Sequence, residues 1–526
     1  MSLSNLNRRE FIGLTAAGAA GGLIAACRAP APVVKPPPAE PAPSPLDAFE
    51  VTEATVRRVI ARALRSGGDY CDLYFERNRT NVLGLEDHAV NRGYTNQDLG
   101  VGVRVVRGLE TGYAYTESLD ESSMLEAAGV AAAVATGGPA GKEPGAFRVE
   151  KLPSHYPVKV QWPDVPTGDK VKVLMKLHDL VAKKDGRIKK VNIFYRDEDR
   201  QVLVVDSDGR VALDRQPMIV SYVSCLAEDK GRRESNYHAL ASRSDLSYLG
   251  DERLRLAADE AARKTLVLFE SVPGPVGELP VVLAPGGSGI LLHEAIGHGM
   301  EADFARKKIT IYADRIGKRI APEHVTIVDD GTNPGMRGSI NVDDEGNDSE
   351  RTVLVERGIL RTFLHDRISA GHLKAAATGS GRRQSFRHMP LPRMRNTYML
   401  AGPHSPEEII RSVKRGIYAE HFTNGQVLIG AGDFTFYVKN GYLIEDGKLG
   451  RPIKDVNIIG NGPKVLERVT MVGTDRKLDE GGWTCGKRGQ RVPVGLGLPT
   501  VKVAAITVGG TEKKKAPKRA PRKRKG

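Results

Sequence analysis

At 526 residues, with 40% hydrophobic and 27% charged side chains, the chain has the composition of a soluble protein with a large core, and is long enough for two globular domains plus tails. The net charge of +14 is misleading, because KKKAPKRAPRKRKG from Lys513 holds nine basic residues and leaves about +5 for the rest. No aromatic residue interleaves those lysines and arginines, so specific nucleic-acid recognition is not expected; contact with anionic membrane or another polyanion is a reading of the tail, as is a plain solubilising segment.

In chain order, residues 1–27 read as an address. Arg8 and Arg9 precede an apolar run to Ala26, the pattern of a twin-arginine export signal. Leu23-Ile24-Ala25-Ala26-Cys27 has the form of a lipobox, with Cys27 as the acylated residue. The expectation is a periplasmic, lipid-anchored protein, exported folded and able to take up a metal beforehand. Residues 28–47 are a proline-rich spacer. Of the remaining cysteines, an oxidising compartment would permit a Cys71–Cys225 disulfide, although buried free thiols are the more ordinary outcome.

An N-terminal domain is expected over 48–275. Apolar spacing predicts helices over 52–64, 124–135, 170–182 and 254–268. Strands are predicted at 69–76, 80–85 and 100–106, and a strand pair at 190–196 and 201–205. Pro273-Gly274-Pro275 marks the boundary. The C-terminal domain, 276–511, reads as strand and loop apart from two helical stretches, one from Ser288 and one from Ser405 to Gly416, with 512–526 a disordered tail. Mixed, non-alternating order predicts an α+β class, in which an N-terminal mixed sheet with amphipathic helices precedes a strand-rich domain carrying a metal-binding helix.

That helix contains HEAIGH, in which His293 and His298 flank Glu294. Neutral imidazoles suit zinc, and a neighbouring carboxylate is the usual partner of a metal-activated water. Five residues of separation put the imidazoles roughly 140° apart on a regular helix, too far round to share an ion. A widened turn or a break is therefore predicted between them, with Gly297 allowing it cheaply. A catalytic zinc needs a third protein ligand. Cys485, in the glycine-rich stretch 479–490, is the best distant candidate, though its residue type alone favours an ordinary buried cysteine.

These segments, with VTIVDDGT, GSINVDDEG, TGSGRRQSF, MPLPRMRNTYML, GIYAEHF and CGKRGQRVPVGLGLPTVKV, resemble the TldD/PmbA metallopeptidase family over almost all of 280–511, and specifically its metal-carrying TldD-like side. The N-terminal domain resembles it more loosely, through DYCDLYFER and GVGVRVV. The resemblance implies His293, His298 and Cys485 as Zn2+ ligands and Glu294 as catalytic base. It implies cleavage of flexible or unfolded peptides, and a dimer, either homodimeric or with a metal-free PmbA-like subunit. The export signal, lipobox and basic tail depart from the usual cytoplasmic member, which puts in doubt the transfer of any intracellular substrate, gyrase effects above all.

Other polar residues read less sharply. Glu301 and Asp303 suit the orientation of a ligand histidine, but solvated helix-end charges are the plainer reading. Residues 329–332 and 343–346 read as turns near the cleft. Arg382 and Arg383 have the chemistry to clamp a substrate carboxylate, with a surface loop as the simpler account. A peptide is expected to dock on a sheet edge of the second domain. The rival functions are another zinc amidohydrolase and a non-catalytic, envelope-tethered interaction subunit.

Overall fold

The computed structural model describes residues 43–133, 141, 144–428 and 431–511. The signal with Cys27, most of the spacer and the basic tail lie outside them. The spacer's last residues already enter a 3-10 turn, Pro45–Phe49, capped by Ser44.

Helix α1 (Glu53–Leu64) begins where Thr52 accepts the Thr55 N–H at 3.1 Å. It leads into β1 (Tyr70–Glu86), β2 (Ala89–Arg107), β3 (Glu110–Thr116), α2 (Glu121–Ala132), β4 (Arg148–Val149), α3 (Thr167–Ala182), β5 (Ile188–Asp206), β6 (Arg210–Asp229), β7 (Arg232–Ser242) and α4 (Asp251–Leu266). The strands form one sheet in the order β3-β2-β1-β5-β6-β4, with β7 also on β6. Odd-numbered residues of β1 face the helices: Cys71, Leu73 and Phe75 pack with α1 and α2, and Leu83 and Leu85 with α3 and α4. Even-numbered residues face the other way, where Tyr74 packs on Phe386 of the C-terminal half.

Two expected strand breaks are absent. Residues 77–79 run straight through β1, paired on one side with Leu99–Gln97 and on the other with Gln201–Asp199. Residues 197–200 likewise continue β5, so 190–205 is one strand and not a hairpin. The polar residues that suggested turns are partnered within the sheet: Asn81 donates to Asp197 at 2.6 Å, and Lys170 of α3 reaches the same carboxylate at 2.7 Å.

The C-terminal half opens with β8 (Val272–Pro273), β9 (Gly277–Leu283), α5 (Ile290–Ala295), α6 (Ala302–Arg306) and β10 (Ile327–Asp330). Beyond them, Asn396–Met399 and Gly495–Leu498 join β10 in a six-stranded sheet. A second sheet runs Arg415–Leu428, β9, Val501–Gly509, Val456–Asn461, Asp433–Glu445, Lys448–Lys454 and β8, and its first five strands close on themselves because Arg415–Leu428 also pairs with Asp433–Glu445. One core of both sheets holds Leu291 and Leu292 of α5 and includes Cys485. The order of elements makes the class α+β. Short helices at α6, Arg367–Leu373 and Gly462–Glu467 were not expected, each being too short to show a period. The helix capped by Ser405 ends at Arg411, and Gly416 lies in the following strand.

The two halves meet through buried charge. Arg104 on β2 donates to Asp72 on β1 and to Glu345, both at 2.6 Å. Arg383 reaches Asp72 at 3.2 Å and the Asp344 carbonyl at 2.7 Å. Arg382 is equally buried, donating to the carbonyls of Met394 and Pro493. The two arginines are therefore neither a surface loop nor a free clamp. Of the two expected turns, 329–332 begins as strand, with Asp329 in β10 against Arg395 at 2.7 Å, whereas 343–346 is a turn closed by the Gly346 N–H on the Asp343 carbonyl at 3.0 Å, and burial beside Glu345 pushes Asp343 up to about 7. Cys71 and Cys225 are separate buried thiols.

Candidate metal centre

Helix α5 ends at Ala295, two residues after His293. Ile296 leaves helical geometry at φ −129° and ψ −48°, and a 3-10 turn, Gly297–Met300, carries His298. This break brings the two imidazoles to 5.2 Å between ring centroids, nearly perpendicular at 81°. It is the break that the five-residue spacing requires. Gly297 is needed for a different reason from the one expected: its φ is not in the left-handed region, but a Cβ there would lie 2.1 Å from Met394 Sδ.

Cys485 lies not in a loop but in a two-stranded ribbon, Thr484–Lys487 with Gln490–Pro493, turned at Arg488 and Gly489, both with positive φ. Its Sγ is 3.4 Å from His298 Nε2. Donor atoms of His293, His298 and Cys485 all lie within 4.8 Å of one another, and all three residues are buried. Two nitrogens and a sulfur in this arrangement suit a borderline-soft cation. Among the described residues the buried Nδ1 of His293 has no hydrogen-bond partner.

The ribbon's alternation places Lys487 on the same side as Cys485, and this residue completes a buried polar shell. Glu301 accepts from His298 Nδ1 at 2.9 Å and from Lys487 Nζ at 3.1 Å. Lys487 also reaches Asp303 at 2.7 Å and the Pro392 carbonyl at 3.0 Å. Arg393 donates to the Cys485 carbonyl at 2.7 Å. Glu301 and Asp303 are thus buried positioning groups, not solvated helix-end charges. Period-two patterning of 484–487 was the signal available for Lys487; nothing in the sequence singled out Arg393.

Electrostatics follow from this packing. Burial opposes ionisation of the Cys485 thiol, but the neighbouring His298 and His293 outweigh it and hold its pKa well below the thiol range. Burial likewise opposes charge on His298, and Glu301 and the Cys485 sulfur overcome it, raising its pKa well above normal. Glu301 itself, although buried, is held down to about 2 by Lys487 and His298. Glu294 differs from all of these. It is the one residue of 288–303 that is not buried, with 22% of its side chain exposed and Oε2 3.8 Å from His298 Nε2.

A cleft of about 570 Å³ opens on the helix-free face of the N-terminal sheet, lined by Glu76, Glu198, Arg243, Arg337 and, from the ribbon, Thr484 and Pro493. Thr484 is exposed while Cys485 is buried, so the cleft flanks the ribbon on the face opposite the donors. Arg337 ties the two together by donating to the Trp483 carbonyl at 2.9 Å.

Three buried donors that could hold a metal ion, with one accessible carboxylate beside them, are the residue types a metal-dependent hydrolase would use. The chain belongs to the PmbA/TldA metallopeptidase family, whose C-terminal, central and first domains match residues 276–510, 161–269 and 71–135. It is 39% identical to a metalloprotease TldD homolog of Haemophilus influenzae over 84% of this chain and 93% of that one. A zinc metalloprotease TldD homolog of Saccharolobus solfataricus is 29% identical over 86% and 99%. Among solved structures, TldE from Thermococcus kodakarensis superposes with a TM-score of 0.68 at 20% identity, covering 87% of this chain and all of that one. A Thermotoga maritima protein described as a modulator of a DNA gyrase gives 0.71 at 21%, with the same coverage. These two likenesses bear on the fold alone.

Proposed function

We propose that this metallopeptidase uses zinc, held by His293, His298 and Cys485, with Glu294 as general base, to cut flexible or unfolded peptides. The observation that carries the reading is the convergence of two imidazoles and a thiol beside a single accessible carboxylate. The donor set disfavours magnesium and calcium, which take oxygen ligands, and the name of the Saccharolobus relative supports zinc. When bound, the ion supplies Lewis acidity, polarising a scissile carbonyl and lowering the pKa of a water towards about 7.

The protein's own groups do the rest. Glu294 takes the proton of the attacking water and delivers it to the departing amine. Glu301 fixes the tautomer of His298, so that Nε2 is presented beside Cys485. Lys487 keeps Glu301 ionised.

Glu294→Gln should retain bound zinc while peptide-library turnover falls at least about 100-fold; a zinc-loaded, active variant would remove Glu294 from this role. We read the assembly as a homodimer or a pair with a PmbA-like subunit, which co-purification and mass measurement test. The chain is exported and anchored through Cys27, so Cys27→Ala should release it from membranes. The basic tail adheres to anionic lipid, and deletion from Lys513 should abolish salt-sensitive vesicle binding without changing peptide cleavage.

A further inference from the structure

Among the described residues a second set of metal-type donors converges, on the N-terminal sheet. His88 Nδ1 lies 3.4 Å from His178 Nδ1 and 3.2 Å from Asp179 Oδ1, and His178 Nδ1 lies 3.3 Å from the same oxygen. The three atoms mark a nearly equilateral triangle.

Hydrogen bonds span it only at long distance, His178 Nδ1 to Asp179 at 3.3 Å and one imidazole to the other at 3.4 Å. A charge-assisted N–H···O bond settles at about 2.7–2.9 Å, and both nitrogen–oxygen separations are longer. Of the two imidazole nitrogens facing one another at 3.4 Å only one can donate, to the lone pair of the other. Around a tetrahedral ion with nitrogen and oxygen ligands at about 2.0–2.1 Å, neighbouring donors lie about 3.3–3.4 Å apart. That is the triangle's edge. The ring centroids, 5.1 Å apart and tilted by 57°, are not stacked, so ring packing does not explain the approach either.

We propose that His88, His178 and Asp179 bind a divalent transition cation of the zinc class, at a site separate from the catalytic centre. His178 is buried on α3, and Asp179 follows it. His88 comes from the two-residue turn between β1 and β2, where Asp87 (φ 46°) and His88 (φ 67°) both adopt the left-handed region usually filled by glycine or asparagine. The nearby carboxylates Glu86 and Asp87 face Lys190, which leaves Asp179 as the anionic ligand. His88 is 59% exposed, so the remaining coordination position opens to solvent.

The cation would clip the hairpin tip to α3. Residues 89–99 of β2 are exposed and paired only with β1, since β3 begins its pairing at Val101. Tyr94, Asn96 and Asp98 of this arm line the cleft. Occupancy of the second site therefore fixes one wall of the cleft without touching the catalytic donors.

Cobalt titration of the metal-free, full-length protein tests this. Binding at the catalytic centre brings a strong near-ultraviolet sulfur-to-cobalt band, whereas nitrogen and oxygen donors give only weak visible bands. The wild type should bind two equivalents per chain, one for each donor group. His88→Ala and Asp179→Asn, both altering exposed side chains, should each lose one equivalent and keep the sulfur band; Cys485→Ser should lose the sulfur band and keep a weak-band equivalent. A wild type that binds a single equivalent, or a His88→Ala variant that still binds two, overturns the proposal.

Discussion

Replacing Glu301 separates its two roles at the metal centre, acceptor for His298 and counter-charge for the shell. Its Oε2 accepts from His298 Nδ1 at 2.9 Å and from Lys487 at 3.1 Å, with no exposed surface. Glu301→Gln keeps the shape and one oxygen for the imidazole N–H but removes the charge, so His298 becomes a weaker donor while staying oriented. Glu301→Ala removes both and leaves Lys487 with Asp303 as its remaining anionic partner. Loss of an outer partner of a ligand histidine costs about 10–100-fold in metal affinity, or about 1.4–2.7 kcal/mol. The glutamine variant is expected at the low end of that range and the alanine variant at the high end. Competition against a chromophoric chelator at fixed pH measures both, read as the affinity of the sulfur-containing site. Zinc affinities within about twofold of wild type in both variants, or a glutamine variant weaker than alanine, would refute the assignment of Glu301 as the group that orients and polarises His298.

Two further substitutions test the packing that brings the donors together. Gly297→Ala places a methyl 2.1 Å from Met394 Sδ and should cost about 1–3 kcal/mol by denaturant unfolding, with zinc affinity falling alongside; Met394→Val in the same chain should recover part of both. Arg104→Met strips the buried Asp72 and Glu345 of their shared cation and should destabilise the folded chain by about 3–5 kcal/mol, visible as a lower urea midpoint. An unchanged midpoint would mean that Arg383 alone suffices for Asp72.

The sequence was most legible where short-range patterns decide the structure. The periodicity of α1, the α+β order and the need for a break after His293 could all be read from residues within a few positions of one another. Errors came where polar residues were buried with partners far along the chain. Residues 77–79 and 197–200 looked like turns because several of their polar groups are met far along the chain, Asp197 by Asn81 and Lys170 and Asp199 by Arg215. Glu301 looked like a solvated helix end because its neutraliser, Lys487, lies 186 positions later. Cys485 could be tied to the histidines by family resemblance and not by any local feature, since the ribbon that delivers it is anchored by Arg393, a residue with no distinguishing context. The His88 cluster was illegible for the same reason: a turn histidine and a helical His-Asp pair are ordinary until the sheet brings them together.

This long-range construction has a consequence for how the ion and the fold are coupled. In a zinc finger the donors converge only around the metal, so metal-binding energy is folding energy. Here they are brought together by contacts made of protein alone. Leu291 and Leu292 fix α5 in the core, Gly289 just before it packs directly on the Gly497 backbone, and Arg393 and Lys487 pin the ribbon. Removing metal should therefore leave the far-ultraviolet circular dichroism unchanged and lower stability only by ligand linkage, about 4 kcal/mol at a thousandfold excess over the dissociation constant. Because the metal-free centre favours a protonated His298 beside a Cys485 thiolate, uptake of the ion must displace the imidazole proton, and zinc affinity should rise with pH. A chelated protein that loses its secondary structure, or one whose zinc affinity is flat with pH, would show that the ion builds this centre instead of occupying it.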